Sequence, residues 1–226
     1  LIDPVETKLR GLRDLGPAYM RHRYSILFCS LLFTLVAVPI LDTFKANGVL
    51  IDLLLAANLL AAIMPTDSAR NRPILLTFMI VLWLLRPMSL WLQYRTLSIL
   101  TLGIWILIAI LAAAAALRFA FRARVIDAEH VYAALSAYLL SGLFFGLLYW
   151  ILGQFDAEAF ATTGGFSRMS AIYFSFVTLA TLGYGDIVPR TDVARGVAIL
   201  EAVGGQLFLA VLVARLVSSY SRDPEN

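Results

Sequence analysis

Residues 178–189 read TLATLGYGDIVP, and their types and spacing carry the most specific chemistry in the chain. Glycines at 183 and 185 alternate with Leu182 and Tyr184. Successive backbone carbonyls can aim at one axis only if the backbone alternates in hand. Glycine takes positive φ at little steric cost, which suits Gly183 and Gly185 to that alternation. A column of carbonyls on one axis offers a dehydrated cation the oxygens it lost with its water. Thr181 adds a hydroxyl at one end of the column, and Asp186 places negative charge at the other. Tyr184 must turn its ring away from the axis, where it can wedge the strand against its surroundings.

Thr178, Thr181, Gly183, Tyr184, Gly185 and Asp186 reproduce the pattern T-x-x-T-x-G-Y-G-D. The chain thereby resembles the potassium-channel superfamily, and most of all its prokaryotic six-span members. The resemblance implies that carbonyls of Thr181, Leu182, Gly183 and Tyr184 bind K⁺ as the permeant ligand, with no other cofactor. It implies filter support from Thr178, Gly185, Asp186, Tyr173, Phe174 and Val177. One strand supplies one wall, so a homotetramer is expected. Two positions depart from the usual pattern. Leu182 stands where valine or isoleucine is common, which changes packing behind the filter. Val177 stands where some members carry a glutamate, so a carboxylate pair with Asp186 is not expected.

The elements that must position this strand are apolar helices. The chain is 61% hydrophobic and 15% charged, the balance of a membrane protein. A bilayer span takes roughly 20 apolar residues. Candidate spans are Ser25–Leu41, Val49–Met64, Ile74 to about Leu92, Leu97–Phe121, Val131–Gly153 and Val193–Tyr220, with a short re-entrant segment at Met169–Thr181. Arg86 and Pro87 interrupt the third. It is either a kinked helix continuing through Pro87 or a shorter tilted helix followed by an interfacial loop at Trp91 and Tyr94. The fold class is therefore all-α: a four-helix peripheral bundle plus a two-helix pore module with a re-entrant pore helix. The expected domains are an N-terminus and sensor-like bundle at 1–121, a linker at 122–130, a pore domain at 131–220 and a short cytoplasmic tail at 221–226.

Basic residues orient the spans. Lys8, Arg10, Arg13, Arg21, Arg23, Arg70, Arg72, Arg118, Arg122, Arg124 and Arg222 fall on one side, against Lys45, Arg86, Arg95, Arg168, Arg190 and Arg195 on the other. The positive-inside rule puts both termini in the cytoplasm and Asp186 outside. A multi-pass protein of the cell (inner) membrane is expected. The formal charge of +3 follows from this bias and gives no case for nucleic acid. Cys29 is the only cysteine, which rules out an intrachain disulfide. The 16 arginines against 2 lysines, with abundant alanine and leucine, suggest a GC-rich prokaryotic genome.

The pore helix should begin after Ser167, with Tyr173, Phe174 and Phe176 packing behind the filter. The last helix carries Gly204 and Gly205, the latter twenty residues after Gly185, where the family has its hinge glycine. An interior glycine costs about 1 kcal/mol relative to alanine and marks either a bend or close packing. Glu201 lies one turn earlier. An ionisable group within a span is a functional candidate. It is either a protonatable gate element or a buried acceptor for hydroxyls, with Ser141, Ser175 and Thr178 as possible partners. The apolar stretch Leu207–Leu216 could gate by dewetting.

The fourth span carries no charge between Leu97 and Leu117, so it lacks the arginine ladder of a voltage sensor. Asp52 and Asn58 could belong to a polar cluster in the second span, although Asp52 also suits the outer interface. Weak or absent voltage gating is expected. The alternatives are a poorly selective cation channel, through Leu182, and a pore subunit of an ion transporter, which the single intact filter disfavours. A membrane enzyme has no support: His22 and His130 lie near interfaces, without a nucleophile or metal-ligand cluster.

Overall fold

The computed structural model describes residues 22–43, 54, 57, 58, 95–122 and 127–220. Five helices dominate: α1 (Arg23–Thr43), α2 (Arg95–Arg122), α3 (Ala128–Phe155), α4 (Arg168–Leu179) and α5 (Asp192–Tyr220). Two short strands, β1 (Phe160–Ala161) and β2 (Val188–Pro189), flank the α4 region. Within α1, α3 and α5 lie segments long and apolar enough to cross a membrane, and α2 contributes the shorter apolar stretch Ile110–Phe121. At 28 residues, α3 is about 42 Å long, enough for the roughly 30 Å hydrocarbon core.

Helix ends follow local chemistry. Asp127 caps α3, its side chain accepting from the His130 backbone N–H at 3.0 Å. Ser167 caps α4 in a reciprocal box with Ser170, which satisfies two otherwise orphaned donors. Asp192 places a carboxylate in the first turn of α5, where the helix dipole favours it. The first turn of α1 is served from a distance: Glu129 of α3 accepts from the Tyr24 backbone N–H at 3.0 Å and from the Ser25 hydroxyl.

Helix α3 is the spine. Ala112, Ala116 and Ala120 form an i, i+4 row on α2 and are buried in one core with Ala133, Ala134, Ala137 and Leu140 of α3. Small residues let helix backbones approach closely, which is how membrane helices associate. Leu27 and Leu31 bring α1 into the same core. At the N-terminal end of α3, His130 stacks on Phe119 at 4.4 Å, and Phe119 stacks on Tyr24 at 4.6 Å. The Arg23 guanidinium lies over the Phe119 ring at 4.8 Å. Asp127 meets the His130 ring nitrogen at 2.5 Å. Burial raises the pKa of the Asp127 carboxyl, but the His130 backbone donor, ring donor and charge outweigh it and hold the group below its usual range.

Several boundaries differ from those expected, some outward and one inward. Helix α3 starts at Ala128, so the last three residues assigned to the linker are helical, because Asp127 is the residue able to cap. Helix α4 ends at Leu179, and Thr181 has left the helix with φ of +57°. The third span lies outside the described residues, as do the residues before His22, linker residues 123–126 and the tail 221–226. Of the second span, Leu54, Ala57 and Asn58 are described, all helical. Asn58 is fully buried and does join a polar cluster. It accepts from Ser30 at 2.7 Å and donates to Thr34 at 2.5 Å and to the Leu54 carbonyl at 2.8 Å.

Candidate functional site

The segment after α4 is built by helix termination. An α-helix leaves its last four carbonyls without intrahelical partners. Here all four are engaged. The Phe176 carbonyl accepts from Ala180 N–H at 3.0 Å, Val177 from Leu182 N–H at 2.8 Å, and Thr178 from Thr181 N–H at 3.0 Å. The Tyr138 hydroxyl of α3 donates to the Leu179 carbonyl at 3.1 Å. The Thr181 and Leu182 bonds together are a Schellman cap, with Thr181 at the left-handed position where glycine is usual. Thr181 is the one non-glycine residue with positive φ among the described residues. A β-branched residue there is strained by about 1–3 kcal/mol and persists only where its surroundings fix it.

Positive φ recurs at every second residue: Thr181 at +57°, Gly183 at +57° and Gly185 at +79°. The backbone therefore alternates in hand through TLGYG. The glycine argument anticipated the second and third of these; Thr181 escaped it, because the cap that enforces its geometry needs the helix end to be known. No Cβ would meet an atom within 4 Å at Gly183 or Gly185, so these glycines serve backbone conformation and not space.

Thr181 through Asp186 are all exposed on this chain. Leu182 is 56% and Tyr184 67% exposed, so the wedge expected of Tyr184 has no complete seat within a single copy. Tyr173 is also exposed, and its phenol faces the Asp186 carboxylate. Phe174 is buried, meeting Tyr149 at 4.9 Å and Phe160 at 5.5 Å between ring centroids. Val177 is buried as well, and Thr178 is half-buried. Beyond the strand, Ala161 pairs with Val188 and Phe160 with Pro189, and Arg190 N–H donates to the Ala159 carbonyl at 2.8 Å. This two-residue ladder ties the chain after Asp186 to the loop before α4. Nothing in the local sequence marked it.

Two glycines of α3 set the seat of α4. A Cβ on Gly146 would lie 2.8 Å from the Ile172 Cα, and one on Gly142 would lie 2.6 Å from the Phe176 ring. They stand four residues apart, the small-xxx-small spacing that lets membrane helices touch. Gly205 of α5 does the same on the other side, where a Cβ would meet Leu179 Cδ1 at 2.7 Å and its carbonyl at 3.1 Å. Close packing thus accounts for Gly205, whereas Gly204 faces open space. Glu201 is fully buried. Of its expected partners it meets Ser175, at 2.5 Å. Ser141 instead donates to the Ala137 carbonyl at 2.8 Å. The second partner, Tyr149 at 2.6 Å, was not foreseen. Also unforeseen is Arg215 of α5, whose guanidinium lies 5.0 Å over the Phe121 ring at the end of α2.

An ion-channel family model matches residues 133–222. The chain is 38% identical over 73 residues to Two-pore potassium channel 4 of Arabidopsis thaliana, covering 32% of this chain and 26% of that one. It is 35% identical over 85 residues to the inward rectifier potassium channel Kirbac3.1 of Paramagnetospirillum magnetotacticum, covering 38% and 28%. Against the A-type voltage-gated potassium channel KCND3 of Homo sapiens it is 31% identical over 86 residues, covering 38% and 13%. The matched part thus spans less than a third of each of these relatives. No solved structure matches significantly. Over these residues the chain is similar to ion channels and not to enzymes, and with the apolar helices this supports a multi-pass membrane protein.

Proposed function

We propose that this chain is one subunit of a homotetrameric K⁺-selective channel, passive and weakly or not voltage-gated. The observation that carries the reading is the alternation of positive φ at Thr181, Gly183 and Gly185 within TLGYG. Such alternation would aim successive carbonyls of Thr181, Leu182, Gly183 and Tyr184 to one side, where four copies would enclose a path for dehydrated K⁺. The exposure of Leu182 and Tyr184 on a lone chain fits a strand completed by neighbours. Similarity to potassium channels over the same residues adds support.

Catalysis has no part in this; the protein lowers the cost of dehydration. The capped end of α4 holds the first filter residue, and Gly183 and Gly185 carry the curvature onward. Asp186 supplies negative charge at the mouth, outside the cell if both termini are cytoplasmic and the membrane is the inner one. Residues 131–220 form the pore domain and residues 1–121 a sensor-like bundle that carries no gating-charge ladder. Gly204, which faces open space, is the hinge candidate on α5, while Gly205 packs against Leu179.

Reversal potentials in liposomes holding the purified protein test the reading. K⁺ gradients should set the potential and Na⁺ gradients should not. Equal permeability would replace it with a poorly selective cation channel, for which Leu182 would be the suspect.

A further inference from the structure

Behind the filter, three helices meet at one buried side chain. Glu201 of α5 contacts Tyr149 of α3 through Oε2 at 2.6 Å and Ser175 of α4 through Oε1 at 2.5 Å. The Ser175 hydroxyl also contacts the Gly142 carbonyl of α3 at 2.7 Å. Each of these oxygen–oxygen distances requires a hydrogen between the two atoms. Three hydrogens are needed. The Tyr149 hydroxyl has one, the Ser175 hydroxyl has one, and the Gly142 carbonyl has none. A carbonyl can only accept, so Ser175 spends its hydrogen on Gly142. The hydrogen between Ser175 and Glu201 must then come from Glu201.

We propose that Glu201 stands as a neutral carboxylic acid in a directed chain, Tyr149 to Glu201 to Ser175 to the Gly142 carbonyl, and that this chain positions the pore helix. Among the described residues, the titratable groups facing Glu201 are the two α3 phenols, Tyr149 and Tyr138; α4 contributes the Ser175 hydroxyl. No cation faces it there to favour ionisation. A neutral acid is also the less costly occupant of a buried site in a membrane.

The geometry gives the chain its purpose. Ser175 and Leu179 lie four residues apart on α4, and Glu201 and Gly205 lie four apart on α5. The acid therefore forms one rung between these helices, and the contact of Gly205 with Leu179 forms the next. Leu179 carries the last α4 carbonyl before the filter, and Tyr138 holds that carbonyl. Losing the Glu201 hydrogen would leave Ser175 with two acceptors and one donor hydrogen, so one rung would open. Glu201 is thus a positioning residue for the filter; that role rests on the channel reading, whereas its protonation does not.

Infrared spectra of the purified protein and of Glu201→Gln, at neutral pH in detergent, test the protonation. The difference spectrum should contain a carboxylic-acid carbonyl band lost in the variant. A difference showing carboxylate bands alone would overturn the proposal. Glu201→Gln should keep its thermal midpoint and K⁺ over Na⁺ selectivity, since its amide oxygen accepts from Tyr149 and its amide nitrogen donates to Ser175. Tyr149→Phe breaks one link and Ser175→Ala breaks two, with little change of shape, so each should lower selectivity by about tenfold or more. Wild-type selectivity in both would overturn the positioning role. An acid band in an unmodified protein that passes no K⁺ would overturn the channel reading and the positioning role and leave the protonation standing.

Discussion

Gly146→Ala tests whether α3 and α4 touch as closely as described. The added Cβ would lie 2.8 Å from the Ile172 Cα and 3.0 Å from its Cγ1. A backbone atom cannot swing aside as a side chain can. Overpacking costs about 1–3 kcal/mol, and this site belongs at the upper end, near 3 kcal/mol. Alanine returns about 1 kcal/mol of helix propensity. The net loss is about 2 kcal/mol, which for a chain of this size lowers the thermal midpoint by roughly 4–8 °C. Gly103→Ala is the matched control: nothing lies within 4 Å of its Cβ, so the propensity gain stands uncancelled. Thermal unfolding of both variants in one detergent reads the difference directly. Because Ile172 and Leu179 share α4, Gly146→Ala should also reduce K⁺ over Na⁺ selectivity. A Gly146→Ala midpoint at or above that of the unmodified protein would refute the close approach.

Gly183→Ala forces a Cβ into φ of +57° and should abolish selective flux in the liposome assay while helical content by circular dichroism is unchanged. Conductance should rise only shallowly with voltage, because α2 carries no charge between Leu97 and Leu117. Each charge crossing the field contributes about 2.3 kcal/mol per 100 mV, and steep gating needs several, so measurable gating current would contradict the expectation. Asp127→Ala should cost about 0.5–2 kcal/mol at neutral pH through the lost cap of α3. Its folded-state pKa is depressed, so this stabilisation is complete above the ordinary carboxylate pKa and disappears as acid takes the pH down through the folded value. The gap in thermal midpoint between variant and parent should therefore close at low pH; a gap that widens in acid would refute the assignment.

What the sequence revealed and what it hid divide along sequence separation. The alternating backbone of residues 181–185 is local: Gly183 and Gly185 state their backbone needs in nearly adjacent letters. The long helices are nearly local, since an unbroken apolar run and a capping Ser167 or Asp127 suffice. Tyr149 was invisible because its bond to Glu201 joins residues far apart in the chain, and a tyrosine amid apolar neighbours looks like core. Gly142 and Gly146 were equally silent, as small residues declare a contact only once the facing helix is known. The pairing of Ala161 with Val188 is too short to leave any periodicity. Ser175 could be named as a candidate for Glu201, but choosing it over Ser141 required knowing that Ser141 bonds back to its own helix at Ala137.

The Schellman cap on α4 has a consequence for assembly. The backbone N–H groups of Thr181 and Leu182 donate to the Thr178 and Val177 carbonyls of the same copy. The turn after α4 is therefore shaped within one chain. In the tetramer proposed above, subunits that meet with this turn already formed would lose little backbone freedom on docking, because the ordering cost has been met within each chain. It also binds two histories into one position. A helix end favours glycine at Thr181 for its backbone, and in the channel proposed above a cation would favour threonine for its hydroxyl, so variation at this residue would answer to folding and to conduction at once.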